Sequence, residues 1–377
     1  MKKNTDRTVG ILTMHRVINY GSFLQAYATQ EVVKSLGFNC EIIDYVFPNK
    51  WHYANGLHNY KSIKSIISDY IFRLGVIKSH RKRKNINNAI NKYLNLSSNY
   101  KTPDEITNQP PIYDIYITGS DQTWNTKHTR GDTTFLLSFA PNGVKKISFS
   151  ASIAGNCLDD KYKKDFKKYF AQYDKIAIRD SNGNKVIKEI TNSYAEVTLD
   201  PTLVFNRDQW SKFSKNKKQI FTNSNYIVFY LITHSFDPRP YIYELLYLLQ
   251  QKTGLKVYSF TKIPQEFNIH YEDCSDLSVE HFIQLFENSS YVVTSSFHGT
   301  AFATNFGIPL YSVIDDINNQ DDRQASLLSK LEINNCLVSV GTKFEEIDPT
   351  YNIEKEQKKL NELRIHSINF LKENLTL

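Results

Sequence analysis

Apolar positions fall in short runs divided by polar stretches, and the spacing within the runs alternates between two periods. Residues 8–14 form a continuous apolar run of strand type, closed by the polar turn Ile18-Asn19-Tyr20-Gly21-Ser22. From residue 23 to 36 the period changes, so that Leu24, Tyr27, Ala28, Val32 and Leu36 share one helical face. Gly37 follows where a helix C-terminus favours glycine. Residues 40–45 predict a second strand. A strand–loop–helix–strand unit of about 35 residues implies parallel strands joined by a crossover helix.

The alternation continues. Ile63, Ile66, Ile67, Tyr70, Ile71 and Leu74 form a helical stripe flanked by Lys and Arg, which reads as a helix packed on a sheet or one lying in a membrane interface. Strands are predicted over 113–118, 146–150, 175–179 and 195–199, each ending in small or polar residues. In open α/β sheets ligands bind beyond the carboxyl ends of the strands, so these exits are the places to look for chemistry. The polar stretch 206–225 divides the chain into domains at 1–205 and 206–345. A second series then predicts strands at 226–231, 256–260, 291–294 and 309–314, with helices at 241–251, 278–288 and after Ser295. A last helix over 353–374, within a 346–377 tail, is expected to pack back on the first domain. The predicted class is α/β in two domains.

Composition narrows the function. With 377 residues, 41% of them hydrophobic, the chain can bury a sizeable core. Its 24 Tyr and 23 Phe serve either that core or contacts to carbohydrate. The net charge of +7 suits an anionic small substrate, and no aromatic stacking motif accompanies the basic run His80-Arg81-Lys82-Arg83-Lys84. That run reads as a solvated helix face, and no nucleic-acid partner is expected. Cys40, Cys157, Cys274 and Cys336 form no CxxC pair, so neither a zinc site nor a disulfide framework is expected, and the setting is a reducing cytoplasm. No signal-peptide pattern and no run of ~20 apolar residues is present, so no transmembrane helix is expected.

Four motifs carry candidate chemistry. Thr294-Ser295-Ser296-Phe297-His298-Gly299-Thr300 delivers hydroxyls and one His to a predicted helix N-terminus, where backbone N–H groups and the helix dipole favour an anion. It reads equally as a capping loop with a structural His. Thr118-Gly119-Ser120-Asp121-Gln122-Thr123-Trp124-Asn125 puts a carboxylate, two amides and an indole on one strand exit. Asp121 then serves as a base, and Trp124 as a sugar-stacking ring, or Ser120 and Asp121 simply cap a helix. Arg179 ends a strand and offers a planar fork to carboxylate or phosphate, with Arg323 of similar standing. Asn19-Tyr20-Gly21-Ser22 is a glycine-bearing loop at the first strand–helix junction, without GxGxxG or a Walker lysine. HExxH and GxSxG are absent as well.

In chain order these pieces resemble the polysaccharide pyruvyl transferase family. The blocks are Gly10-Ile11-Leu12-Thr13 with Asn19-Tyr20-Gly21-Ser22 and Leu24-Gln25-Ala26-Tyr27-Ala28; Gly119-Ser120-Asp121-Gln122-Thr123-Trp124-Asn125; Phe149-Ser150-Ala151-Ser152; Ile178-Arg179-Asp180; Leu199-Asp200-Pro201-Thr202; the His298 block; and Arg323 with Leu327-Leu328. The resemblance implies two Rossmann-like domains facing a cleft, as in GT-B glycosyltransferases. It implies phosphoenolpyruvate as donor, a sugar or lipid-linked oligosaccharide of a surface glycan as acceptor, and no further cofactor or metal. It places the protein in the cytoplasm, with peripheral contact at the inner face of the membrane if the acceptor is lipid-linked.

Carried over by position, His298 is the general acid or phosphate-binding His and Arg179 the anion clamp. Arg179, Ser295, Ser296, Thr300 and the helix N-terminus make up the anion cradle, with Asp121 as the base. Asn19, Tyr20, Gly21, Ser120, Gln122, Trp124, Ser152, Asp200, Gly299 and Arg323 complete the expected binding set. One departure stands out: Ser296 occupies a position, two before the His, where many family members carry Arg. A nucleotide-sugar glycosyltransferase and a non-catalytic glycan- or anion-binding protein are the competing readings.

Overall fold

The computed structural model describes residues 7–47, 77–221, 225–233, 236–316 and 323–376. The apolar stripe at 63–74 lies outside the described residues. Two parallel sheets organise the chain. The first contains β1 (Thr8–Leu12), β2 (Asn39–Tyr45), β3 (Leu96–Tyr100), β4 (Ile115–Thr118) and β5 (Lys145–Ser148), in the order β3-β2-β1-β4-β5. Val9 pairs with Cys40 on one side and Ile115 on the other. The short parallel pair β6 (Ala177–Ile178) and β7 (Glu196–Val197) extends this sheet through single bridges such as Ala151 to Ile178. The second sheet contains β8 (Tyr226–Tyr230), β9 (Lys256–Ser259), β10 (Tyr271–Asp273), β11 (Tyr291–Thr294), β12 (Leu310–Ile314) and β13 (Leu337–Ser339), in the order β10-β9-β8-β11-β12-β13.

Central strands such as β4, β8 and β12 are buried along their whole length, as strands covered by helices on both faces must be. Both strand orders run outward from the first strand and then reverse. The reversal lies between β1 and β4 in one sheet and between β8 and β11 in the other. Ligands of doubly wound sheets bind at such a reversal, beyond the strand ends.

The main helices of the first half are α1 (Tyr20–Ser35), α2 (Ile77–Tyr93), α3 (Asp160–Phe170), α4 (Asn184–Thr191) and α5 (Pro201–Val204). Then come α6 (Arg207–Ser214), α7 (Tyr241–Thr253), α8 (Val279–Glu287), α9 (Phe297–Phe306), α10 (Arg323–Lys330) and α11 (Ile353–Leu375). Among the described residues no helix is long and apolar enough to cross a membrane.

An aromatic seam joins the two sheets. Tyr20, at the head of α1, stacks on Phe282 of α8 with centroids 4.5 Å apart, and Tyr27 meets Phe213 of α6 at 4.7 Å. The fully buried rings of Tyr20 and Phe282 contribute roughly 1.5–3 kcal/mol each, so the seam fixes how α1 meets the second sheet. Polar contacts reinforce it: Tyr93 Oη donates to Glu280 at 2.6 Å, and Asn85 donates to the Asp276 carbonyl at 2.8 Å. α11 binds both parts, since Arg364 donates to the Leu203 carbonyl and to Asn305 Oδ1, while Ser367 Oγ accepts from the Leu199 amide.

Candidate functional site

The two reversal points meet. At the first, Asn19 caps α1 by accepting from the Gly21 amide at 2.8 Å, and it also accepts from Tyr230 Oη of the second sheet at 3.4 Å. Gly21 lies directly beneath the ring of His298, in the first turn of α9: a Cβ at position 21 would stand 2.1 Å from His298 Nδ1. Only glycine permits this approach. The N-termini of α1 and α9, one from each half, therefore face each other across a single contact.

β4 exits into Gly119-Ser120-Asp121. Asp121 has φ +74, a left-handed conformation that costs a non-glycine residue of order 1–3 kcal/mol. Its carboxylate is fixed on both sides: Ser22 Oγ of α1 donates to Oδ2 at 2.6 Å, and the Gln122 amide donates to Oδ1 at 2.9 Å. Burial by itself raises the Asp121 pKa, but the charges of His298 and Arg179, the Ser22 hydrogen bond and Arg323 outweigh it, so the carboxyl lies below its usual value.

Asp200 is the second fixed carboxylate. It caps α5 ahead of Pro201, where Oδ1 accepts from the Thr202 amide and from Thr202 Oγ1. Its Oδ2 accepts from Ser120 Oγ at 2.8 Å and Arg179 Nη1 at 2.6 Å. Burial pushes the Asp200 pKa up, yet Arg179, His298 and Thr202 bring it down to about 2. Arg179 leaves β6 with its guanidinium stacked on the Phe297 ring, 4.3 Å from the centroid. Burial disfavours its charge, but Asp180, Asp200 and Asp121 overcome this and raise its pKa.

His298 Nε2 lies 3.9 Å from Asp200 Oδ2, beyond hydrogen-bonding distance. Burial pushes the imidazole below its usual pKa; Asp200 and Asp121 pull upward, while Arg179 and Arg323 push down. The neutral ring is the result at neutral pH. Four polar atoms at this junction are buried without a hydrogen-bond partner: Arg179 Nε, Arg179 Nη2, Asp180 Oδ1 and His298 Nε2. Buried polar groups are satisfied in the great majority of cases, so such a cluster marks a place built for a ligand.

The junction thus gathers Asn19, Gly21, Ser120, Asp121, Arg179, Asp200 and His298. Arg323 heads α10 and acts electrostatically on both Asp121 and His298. Other candidates have different duties. Trp124 is a correction: its indole is only 1% exposed, donates to the Phe135 carbonyl and packs on Phe170, so no sugar can stack on it. Tyr20 is buried in the seam and donates to the Leu277 carbonyl, which makes it a strut.

The expected cradle hydroxyls are engaged within the protein to different degrees. Ser295 Oγ donates to the Ile232 carbonyl and accepts from its amide, and Thr300 Oγ1 is paired with Ser312 Oγ. Ser296 Oγ caps α9 through the Gly299 amide, and Gly299 packs tightly on Thr294. Ser152 Oγ donates to Asp180, and Gln122 Oε1 accepts from Asn125. Asp121 accepts one hydrogen bond at each oxygen, from Ser22 and from the Gln122 amide, which fixes the orientation of its carboxylate. Ser22, Phe297, Asp180 and Lys330 also line this junction, although nothing in the sequence marks any of them as a site residue in its own right. The first three adjoin residues that were singled out, whereas Lys330, which donates to the Arg179 carbonyl at 3.1 Å, had no signal in its surroundings. Among the described residues no group of three or more His, Cys, Asp and Glu is arranged to hold a metal ion.

Comparison with known proteins bears on the fold and the family. The chain is similar in fold to a putative UDP-N-acetylglucosamine 2-epimerase from Listeria monocytogenes, with a TM-score of 0.50 and 11% identity over 99% of this chain and 91% of that one. It is similar also to Arabidopsis thaliana UGT89C1 complexed with UDP-L-rhamnose, at TM-score 0.50 and 10% identity over 100% of both chains. These are GT-B-like structures, and the expected two-domain α/β fold is therefore observed. No curated protein sequence matches the chain. Residues 19–316 match the family described as polysaccharide pyruvyl transferase, and the chain belongs to that family.

Proposed function

We propose that the protein transfers the pyruvyl group of phosphoenolpyruvate onto two hydroxyls of a surface-polysaccharide sugar or its precursor, forming a ketal and releasing phosphate. The observation that carries this reading is the set of buried nitrogens without a hydrogen-bond partner, Arg179 Nε and Nη2 from the first half with His298 Nε2 from the strand-order reversal of the second. Such nitrogens suit a ligand with two anionic groups, a carboxylate and a phosphate. Arg179 supplies from the first half the charge that Ser296 does not supply from α9, and its stacking on Phe297 brings it beside that helix.

The enol ether of phosphoenolpyruvate reacts only after C3 is protonated. His298 Nε2 is the proton donor, and it acquires its proton when the anionic donor arrives and offsets the burial that otherwise keeps the ring neutral. Cationic character at C2 then invites a sugar hydroxyl, phosphate leaves with the electrons of its bond to C2, and a second hydroxyl closes the ketal. Asp121 and Asp200 stabilise the imidazolium through charge. A lipid-linked precursor as acceptor would bring the protein to the inner face of the cytoplasmic membrane.

The test is phosphate release from phosphoenolpyruvate in the presence of the acceptor, with mass spectrometry of the glycan. A pyruvyl mass gain that matches phosphate release supports the reading. Transfer of a glycosyl group from a nucleotide sugar, with phosphoenolpyruvate inert, replaces it with the glycosyltransferase reading.

A further inference from the structure

Three carboxylates converge on the junction, and a census of their oxygens separates them. Asp121 accepts at both oxygens, from Ser22 Oγ and the Gln122 amide. Asp200 accepts twice at each oxygen, from Thr202 and from Ser120 with Arg179. Asp180 accepts at Oδ2 from Ser152 Oγ, while its Oδ1 has no donor. That oxygen is 3.4 Å from Arg179 Nε, which is itself unpartnered, so the two form an ion pair without a hydrogen bond. Asp180 is 5% exposed, so the ion pair offsets the desolvation of this oxygen only in part and a hydrogen bond to it is still missing.

The surroundings hold Asp180 in place from both halves. Ser181 Oγ meets Ser326 Oγ of α10 at 3.1 Å, and Lys330, one turn further on, donates to the Arg179 carbonyl at 3.1 Å. Burial pushes the Lys330 pKa down to about 8 while Asp180 pulls it upward. Asp180 thus has two cations in its surroundings, Arg179 at 3.4 Å and Lys330, which it influences through charge. Phosphoenolpyruvate offers the vacant Asp180 oxygen no hydroxyl to accept from, whereas a sugar does.

Resting on the pyruvyl transferase reading, we infer that Asp180 is a further catalytic residue: its Oδ1 receives the first sugar hydroxyl and takes that proton as the hydroxyl oxygen attacks C2. In this step the hydroxyl oxygen bonds to C2, and the C2–C3 π pair takes the proton delivered by His298. The hydroxyl proton passes to Asp180 Oδ1 and leaves on the departing phosphate, which takes the electron pair of its bond to C2. The second hydroxyl then closes the ketal and returns its proton to His298, so both groups end as they began.

The test pairs calorimetric binding of phosphoenolpyruvate with its sugar-stimulated phosphate release, using a panel of methyl hexopyranosides as probe acceptors. Asp180→Asn is expected to bind phosphoenolpyruvate at least as tightly as the wild type, since a negative charge has been removed beside the donor. Its sugar-stimulated rate is expected to fall by about 10²–10⁴-fold, the usual worth of a positioned base. Asp180→Glu, which keeps a carboxylate, should recover part of that rate. If Asp180→Asn loses donor binding together with turnover, or if Asp180→Glu is no better than Asp180→Asn, the residue only supports Arg179 and the inference is overturned with the donor reading intact. A wild-type protein that does not bind phosphoenolpyruvate overturns both.

Discussion

Replacing Gly21 by alanine tests the contact on which the site is built. The added Cβ would lie 2.1 Å from His298 Nδ1, 2.2 Å from Cγ and 2.7 Å from Cε1. Ordinary van der Waals contact between such atoms needs about 3.5 Å, so the imidazole has to retreat by ~1 Å or more. A displacement of that size at a reacting group costs on the order of 10²-fold in rate. Gly21 is in the first turn of α1, and alanine there does not weaken the helix: intrinsic propensity favours it by up to ~1 kcal/mol. A loss of activity therefore reports the ring and not an unfolded helix. The assay is phosphate release from phosphoenolpyruvate, with calorimetric binding and thermal unfolding measured on the same preparations. A double-variant cycle sharpens it. Once His298→Ala has removed the ring, adding Gly21→Ala should cost nothing further, so the pair should behave as His298→Ala alone. Wild-type turnover in Gly21→Ala, or a double variant far worse than His298→Ala, would refute the argument.

Three more outcomes are expected. Arg179→Lys keeps a cation but loses the planar fork, so phosphoenolpyruvate affinity should fall by roughly tenfold or more in calorimetry, as bidentate contacts are lost. Because His298 is held below its usual pKa in the free protein and donor binding favours the imidazolium, affinity for phosphoenolpyruvate should strengthen as pH falls toward the usual histidine value; His298→Gln should remove this component, and equal pH dependence in both proteins would contradict it. Glu356 of α11 is buried and its pKa is pushed up to about 7, so its stability contribution is full near pH 4.5 and is lost as pH rises through 7. Denaturant unfolding at pH 8 should then show Glu356→Gln more stable than wild type, by up to about 3 kcal/mol, and nearly equal to it at pH 4.5.

The sheets and the candidate blocks were legible because central parallel strands are continuous apolar runs and their exits carry small and polar residues. The edges were not. β3 is Leu-Ser-Ser-Asn-Tyr and β10 is Tyr-Glu-Asp, both partly exposed, and neither has the apolar signature of a central strand. Apolar runs at 175–179 and 195–199 shorten to the two-residue strands β6 and β7, because only their middles pair with each other while Lys175 and Ile178 make single bridges to the first sheet. Within the site, residue identity was readable and hydrogen-bond commitment was not. Ser295 spends its hydroxyl on Ile232, 63 positions away, and Trp124 turns into a core formed with Phe170. The same blindness hid Asp180: beside Arg179 in sequence it is one more acid, and only the tertiary census of donors shows an oxygen left over.

The central claim is that Arg179 and His298 receive phosphoenolpyruvate. Titrating the purified protein with phosphoenolpyruvate, in parallel with UDP-linked sugars, tests it most directly. The account predicts that phosphoenolpyruvate binds, that Arg179→Ala abolishes this binding, and that UDP-linked sugars leave the protein unchanged. Binding of a UDP-linked sugar with no response to phosphoenolpyruvate would contradict the account.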